Sequence, residues 1–278
     1  MTKPHSVSPH NQLDQIWARL RFESGDVQER EPALASYVHA VVVGRESFGD
    51  ALGHLLAEEL SSKHIDAMQL LEIITEVYAS TPAVVIAAQN DLLAILERDP
   101  AATKAIVPFL FFKGFHALQS YRVAHWLWRN DRQILALYLQ SRIAKRFAVD
   151  IHPAAVIGQG VMMDHANGIV IGETTVVEDN VSFLHSVTLG GTGKESGDRH
   201  PKIRHGVMIG AGAKILGNIE VGANSRIAAG SVVLKNVPPC VVVAGVPARV
   251  VGNAGCDNPA DVMDQTLPLF QDSGLPPT

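Results

Sequence analysis

Cysteine is scarce in this chain: only Cys240 and Cys256 occur among 278 residues. With no C-x-x-C spacing, they predict neither a disulfide framework nor a thiolate metal pair. Basic runs are missing too, and the net charge is −5, which argues against nucleic acid, whose phosphates need clustered Lys and Arg. No apolar stretch reaches the roughly 20 residues of a membrane span. The start, Met1-Thr-Lys-Pro-His-Ser, lacks the apolar segment of a secretory signal. The expectation is a soluble cytoplasmic protein with no membrane partner. Hydrophobic residues make up 47% of the chain, enough for a large core in one or two domains.

What is present is a beat of six. Apolar residues fall at Ile151, Ile157, Met163, Ile169, Val181 and Val187, with Thr175 the one polar member; after a single break they resume at Ile203, Ile209, Ile215, Val221, Ile227 and Val233. That period fits neither a helix nor a half-buried strand. It fits a chain turning a corner every six residues, a parallel β-solenoid.

Residues 11–148 have a different texture. Leu13, Ile16, Trp17 and Leu20 share a helical face. A second helix is expected from Pro32 through Val41, a third from a Ser47 cap to about Leu60, and a fourth over Asp66 to Tyr78. Thr81-Pro82 reads as a cap and first-turn proline for a helix to Arg98, broken by Asp99-Pro100. Two more helices follow at about 115–129 and 132–147, where Trp126 and Trp128 read as packing residues. The domains are therefore 1–149, 150–252 and a flexible tail, 253–278.

Three faces of six make a coil of eighteen. Counting in this way from His165 gives a column of His165, Phe183, Ala211 and Ala229, whose alanines stand beside glycines. Small residues there make a smooth groove for an extended ligand arm, with its reactive end near His165. The stretch Gly190–Lys202 interrupts the repeat, as binding loops of repeat proteins do. It is not a phosphate-binding P-loop, because Thr188 stands where a glycine is needed and Glu195 follows Lys194. Its Asp198-Arg199-His200-Pro201 run reads as part of a site.

The motifs Val149-Asp150-Ile151-His152-Pro153, Met163-Asp164-His165-Ala166, Gly190-Gly191-Thr192-Gly193-Lys194 and Asp198-Arg199-His200-Pro201-Lys202, with Glu97-Arg98-Asp99-Pro100 and 115–122 in the helical half, resemble bacterial serine O-acetyltransferases over residues 12–252. The resemblance implies an α+β fold: an all-helical N-terminal oligomerisation domain, then a left-handed parallel β-helix of hexapeptide repeats, assembled as trimers or hexamers. It implies transfer of acetyl from acetyl-CoA to the hydroxyl of L-serine in cysteine biosynthesis, with L-cysteine as feedback inhibitor and no metal.

By the same resemblance His165 is the general base and Asp150 orients it. Asp99 and Asp164 take the serine ammonium and Arg199 its carboxylate, while His200 is a second site histidine in contact with substrate. Gly191, Ala211 and Ala229 line the acetyl-CoA arm, and Lys235 and Arg249 meet its phosphates. An imidazole suits this work because it accepts and returns protons near neutral pH. Neither cysteine lies in these motifs, so direct transfer without an acyl-enzyme is expected. Relatives often end in an isoleucine that enters O-acetylserine sulfhydrylase; this chain ends Leu275-Pro276-Pro277-Thr278, which argues against that partner. Two other chemistries use similar solenoids: acetylation of another hydroxylated acceptor, and zinc-dependent hydration through His165, His185, His200 and His205. No dense His and Cys ligand spacing supports the second.

Overall fold

The computed structural model describes residues 9–193, 196–255 and 258–267, in two units, Met1–Phe147 and Ala148–Thr278. The first is helical. It begins with α1 (Pro9–Arg30), then a 3-10 turn (Pro32–Leu34), α2 (Ala35–Val38) and a π-helical turn (His39–Val43). The single helix expected from Pro32 is thus broken, and the Gly44 N–H reaching back to the His39 carbonyl at 2.9 Å closes the wide last turn. Next come α3 (Phe48–Leu60), α4 (Ala67–Ser80), α5 (Ala83–Arg98), α6 (Ile106–Phe111), α7 (Lys113–Arg129) and α8 (Gln133–Phe147).

The Ser47 hydroxyl caps α3 by accepting the Asp50 N–H, and Asp66 with Gln69 forms a reciprocal capping box on α4. Thr81 is not the cap of α5. Pro82 takes that position, and the Thr81 hydroxyl accepts the Trp126 indole N–H at 3.1 Å instead. The periodicity missed α6, which is too short to show a helical stripe, although Ile106, Phe109 and Leu110 are buried. Between α5 and α7, Asp91 is fully buried and receives the Arg122 guanidinium at 2.7 Å and the Gln119 amide at 3.0 Å.

The second unit is the solenoid. Its coils are β1 (Val149–Ile151), β2 (Val156–Ile157) and β3 (Met162–Met163); β4 (Ile169–Ile171), β5 (Val176–Val177) and β6 (Ser182–Phe183); β7 (Thr188–Gly190), β8 (Lys202–Ile203) and β9 (Met208–Ile209); β10 (Lys214–Leu216), β11 (Glu220–Val221) and β12 (Arg226–Ile227). Then come β13 (Val232–Val233), β14 (Val241–Gly245), β15 (Ala248–Asn253) and α9 (Pro259–Val262). Sheet A stacks β1, β4, β7, β10 and β13; sheet B stacks β2, β5, β8 and β11; sheet C stacks β3, β6, β9, β12 and β14, with β15 antiparallel at its edge.

Register corrects the six-residue beat. Ile151, Ile171, Leu189, Ile215 and Val233 form one inward column. Ile157, Val177, Ile203 and Val221 form the second, and Met163, Phe183, Ile209, Ile227 and Val243 the third. The beat therefore breaks twice. Met163 pairs with Phe183, twenty positions on, whereas Ile171 pairs with Leu189, eighteen on, so the turn after β3 holds two extra residues. Ile169, Thr175, Val181 and Val187 are also buried, but they sit two positions before the inward column. Their burial is what disguised the break.

β15 carries the chain to Asn253, and the segment after it packs back on the solenoid. Ala260 is fully buried, the Ser182 hydroxyl donates to its carbonyl at 2.9 Å, and Arg226 pairs with Asp264 at 2.8 Å. Part of the expected tail is thus docked, while 268–278 lie outside the described residues.

Candidate active site

The corner between sheets C and A carries His165. The two extra residues of its turn place His165 and Ala166 both in the left-handed region, at φ 54° and 56°. For non-glycine residues that costs on the order of 1–2 kcal/mol each, and such strain concentrates at functional sites. The turn is tied by the Asn167 N–H to the His165 carbonyl and the Ser186 N–H to the Asn167 carbonyl, at 2.8 and 2.7 Å. His165 is 73% exposed at this corner, and its Nε2 lies 3.7 Å from an Asp164 carboxylate oxygen.

Stacked on His165 is His185, with ring centres 6.0 Å apart and edge to face. The predicted column named Phe183 here; Phe183 points inward and is fully buried, because the extra residues shift the count by two. From His185 upward the expected members hold. The Gly212 N–H bonds to the His185 carbonyl and the Gly230 N–H to the Ala211 carbonyl, so the corner runs His165, His185, Ala211, Ala229. Coils touch backbone to backbone here: a Cβ on Gly210 would stand 2.5 Å from the Ala229 nitrogen. Above, at the end of the solenoid, Lys235 and Arg249 both line a cavity of about 350 Å³ with Leu234, Pro238, Pro247 and Val250. At about 4.8 Å per coil, the column rises some 14 Å from His165 to Ala229.

A second constellation occupies the opposite edge of sheet A, at the corner with sheet B. Arg199 pairs with Glu173 at 2.8 Å, and this hydrogen bond holds the Glu173 carboxyl below its ordinary range. Burial, then the charge of Arg199, lowers the pKa of His200; burial also lowers that of His152, against the opposing pull of Glu173 and Asp150. The loop from Gly191 returns here because Lys202 holds the Asp198 carboxylate and the carbonyls of Thr174 and His200, at 2.6, 2.9 and 2.8 Å. Gly191 itself packs against the Arg199 backbone and stem, where a Cβ would make ordinary contact at 3.5 Å. Lys194 and Glu195 lie outside the described residues.

Asp150 sits at the middle of β1, opposite Val170 on β4, on the face of sheet A that joins the two corners. Asp99 belongs to the helical unit, at the C-terminal end of α5, where its carboxylate accepts the Ala101 N–H at 2.8 Å. The structure thus groups Asp164 with His165, and Arg199 with His200. Sequence reasoning missed His152, Glu173, Thr174 and His185 as members of these groups. The Asn167-Gly168 pair after His165 was the available signal, since such a pair marks a longer turn and would have restored His185 to its place. The four histidines of the zinc alternative fall at three corners, His205 standing 3.6 Å from Glu178 at the corner between sheets B and C. A larger cavity of about 590 Å³ lies in the helical unit, between Trp17, Phe48, Tyr78 and Val85; no His or Cys lines it. Among the described residues, no single helix is long and apolar enough to cross a membrane.

Comparison with known proteins bears on both units. The profile described as serine acetyltransferase, N-terminal, matches residues 16–120, and the bacterial transferase hexapeptide profile matches residues 200–235. Serine acetyltransferase of Salmonella typhimurium is 54% identical over 92% of this chain and 94% of its own. A solved serine acetyltransferase in complex with cysteine superposes with a TM-score of 0.90 at 52% identity, covering 92% of this chain and 99% of that one. The Brucella abortus serine acetyltransferase in complex with coenzyme A gives 0.87 at 51%, covering 88% and 98%.

Proposed function

The chain belongs to the serine acetyltransferase family, and from that premise we propose how its solenoid carries out the family's reaction, transfer of acetyl from acetyl-CoA to the hydroxyl of L-serine to give O-acetyl-L-serine and CoA. The observation that carries the reading is His165: an exposed imidazole, held in a left-handed turn, at the foot of a column that runs past His185 to the small residues Ala211 and Ala229 and on toward Lys235 and Arg249. The pantetheine arm lies along that column, past Ala211 and Ala229, with Gly191 supplied, like Arg199, by the neighbouring copy. Lys235 and Arg249 meet the phosphates at the upper cavity, and the thioester reaches the His165 corner.

His165 removes the serine hydroxyl proton as the oxygen attacks the thioester carbonyl. The tetrahedral adduct then expels the CoA thiolate, which takes the proton back from His165. Asp150 fixes the imidazole, in the manner of the carboxylate of a catalytic triad. Asp164 attracts the ammonium. Arg199, whose planar fork matches a carboxylate, and His200 hold the other end of the amino acid.

In one copy the His165 group and the Arg199 group stand at opposite edges of sheet A, separated by a three-residue strand of about 10 Å and the turns beyond it. One serine is too small to bridge that distance. We therefore assign the site to the seam between neighbouring solenoids of a trimer, one copy supplying His165 and the next Arg199 and His200; pairing of two trimers through the helical units gives the hexamer. L-Cysteine carries the same ammonium and carboxylate as serine, so it competes for the same groups as feedback inhibitor.

The test is thiol release from acetyl-CoA with L-serine, with and without L-cysteine. Activity with serine, suppressed by cysteine, is the expected result. Replacing His165→Ala in the assembled enzyme lowers kcat by at least about a hundredfold, the scale of a lost general base. Full turnover in that variant, or faster acetylation of a sugar than of serine, overturns the reading.

A further inference from the structure

Thr174, in the turn between β4 and β5, binds both members of the Arg199–His200 pair. Its hydroxyl oxygen accepts the backbone N–H of Arg199 at 3.0 Å and of His200 at 3.1 Å. Those two donors occupy both lone pairs, and the hydroxyl's single hydrogen faces two acceptors, His200 Nδ1, 2.9 Å away, and the Asp198 carboxylate. The Thr174 backbone N–H points at the same nitrogen, at 3.2 Å. Nδ1 accepts that backbone N–H and so carries no hydrogen of its own, which leaves the ring's proton on Nε2. The Nε2 edge lies over Gly172, where a Cβ would come within 2.1 Å of the ring.

We propose that Thr174 is a positioning residue for substrate: it locks His200 as a neutral imidazole that offers Nε2–H to the amino acid's carboxylate, while Arg199 supplies the charge. The proposal rests on the reading above that this pair receives the carboxylate. The groups facing His200 agree with a neutral ring. Arg199 and Lys202 place positive charge beside it, His152 adds to them, and Glu173 and Asp198, which oppose them, are engaged by Arg199 and by Lys202. A second cation in that setting would be repelled from three sides. A directed neutral donor is not, and it also favours a planar carboxylate over a merely anionic group, because its hydrogen bond is fixed in direction.

The experiment compares T174V, which keeps the shape and loses the hydroxyl, with T174S, which keeps the hydroxyl. T174V is expected to raise KM for serine about tenfold, the scale of a lost hydrogen bond to a charged group, with KM for acetyl-CoA within twofold of the parent. T174S stays within about twofold on both. As pH falls from 8 to 6, the ratio of the T174V to the parent KM for serine shrinks, because a protonated imidazole donates from either nitrogen. A parallel rise in both KM values, a T174S defect as large as that of T174V, or a ratio flat with pH overturns the proposal. R199A separates the two levels. If R199A also leaves KM for serine unchanged, the carboxylate reading itself fails; if R199A is defective and T174V normal, only the role of Thr174 does.

Discussion

At the scale of single residues, the site is governed by how closely the backbone is approached. Gly172 is the clearest case. The His200 ring occupies the space in which any side chain at 172 would stand, within 2.1 Å of an ideal Cβ. A methyl group there cannot be absorbed by a small shift, since the ring is held on its far side by Thr174. G172A is therefore expected to move His200 rather than unfold the solenoid, raising KM for serine tenfold or more with little change in KM for acetyl-CoA. Steady-state kinetics on both substrates checks this, and an unchanged KM for serine would show that the ring is free to move. None of this was visible in the sequence, where Gly172 is one of 23 glycines. Glycine announces permissiveness, not the identity of the atom that fills the space.

Among the elements, the contrast lies between strands that are individually negligible and helices that carry their own signals. A two-residue strand such as β5 or β9 has no stability alone. It exists because its neighbours above and below supply its hydrogen bonds, and because each inward aliphatic contributes about 1.5–3 kcal/mol by burial. The helices α3 and α4 were legible from Ser47 and Asp66 because capping is a local event. The α5–α7 contact was not legible, since it depends on Asp91 meeting Arg122 across 31 positions. Asp91 is fully buried with that guanidinium at 2.7 Å, so truncating one partner strands the other charge. D91A is predicted to lower the stability of the helical unit by about 3–5 kcal/mol, measurable by urea denaturation. A loss under about 1 kcal/mol would mean that Arg122 finds another partner.

For the molecule as a whole, pH exposes which groups fold in an unnatural charge state. Burial pushes the pKa of His116, His152 and His200 below the ordinary 6.5. The unfolded chain therefore binds protons that the folded one refuses, and stability is lost as pH falls below about 6.5. The carboxyls held low act later. Glu173, held by Arg199, and Asp198, held by Lys202, lose their contribution only as pH falls below their ordinary 4.5 and 3.8, and Asp264, held by the Thr266 N–H and hydroxyl and by Arg226, loses its own between its ordinary 3.8 and about 2. Thermal melts should be flat from pH 8 to 7 and decline first between 6.5 and 5; a Tm constant down to 4.5 would contradict this assignment. The six-residue beat, the shift from helical to solenoid texture near residue 150 and the motif residues around His165 and Arg199 were determined by the sequence alone, because repeats and caps are local patterns that many coils or turns restate. Which residue stands over which was decided only in three dimensions. Two extra residues after Met163 displace the count as far as the break at Gly190, so His185 rather than Phe183 faces His165, and Thr174 meets His200 across 26 positions. Register is set by hydrogen bonds between coils and by the space each side chain finds there, and neither is written in the order of the residues.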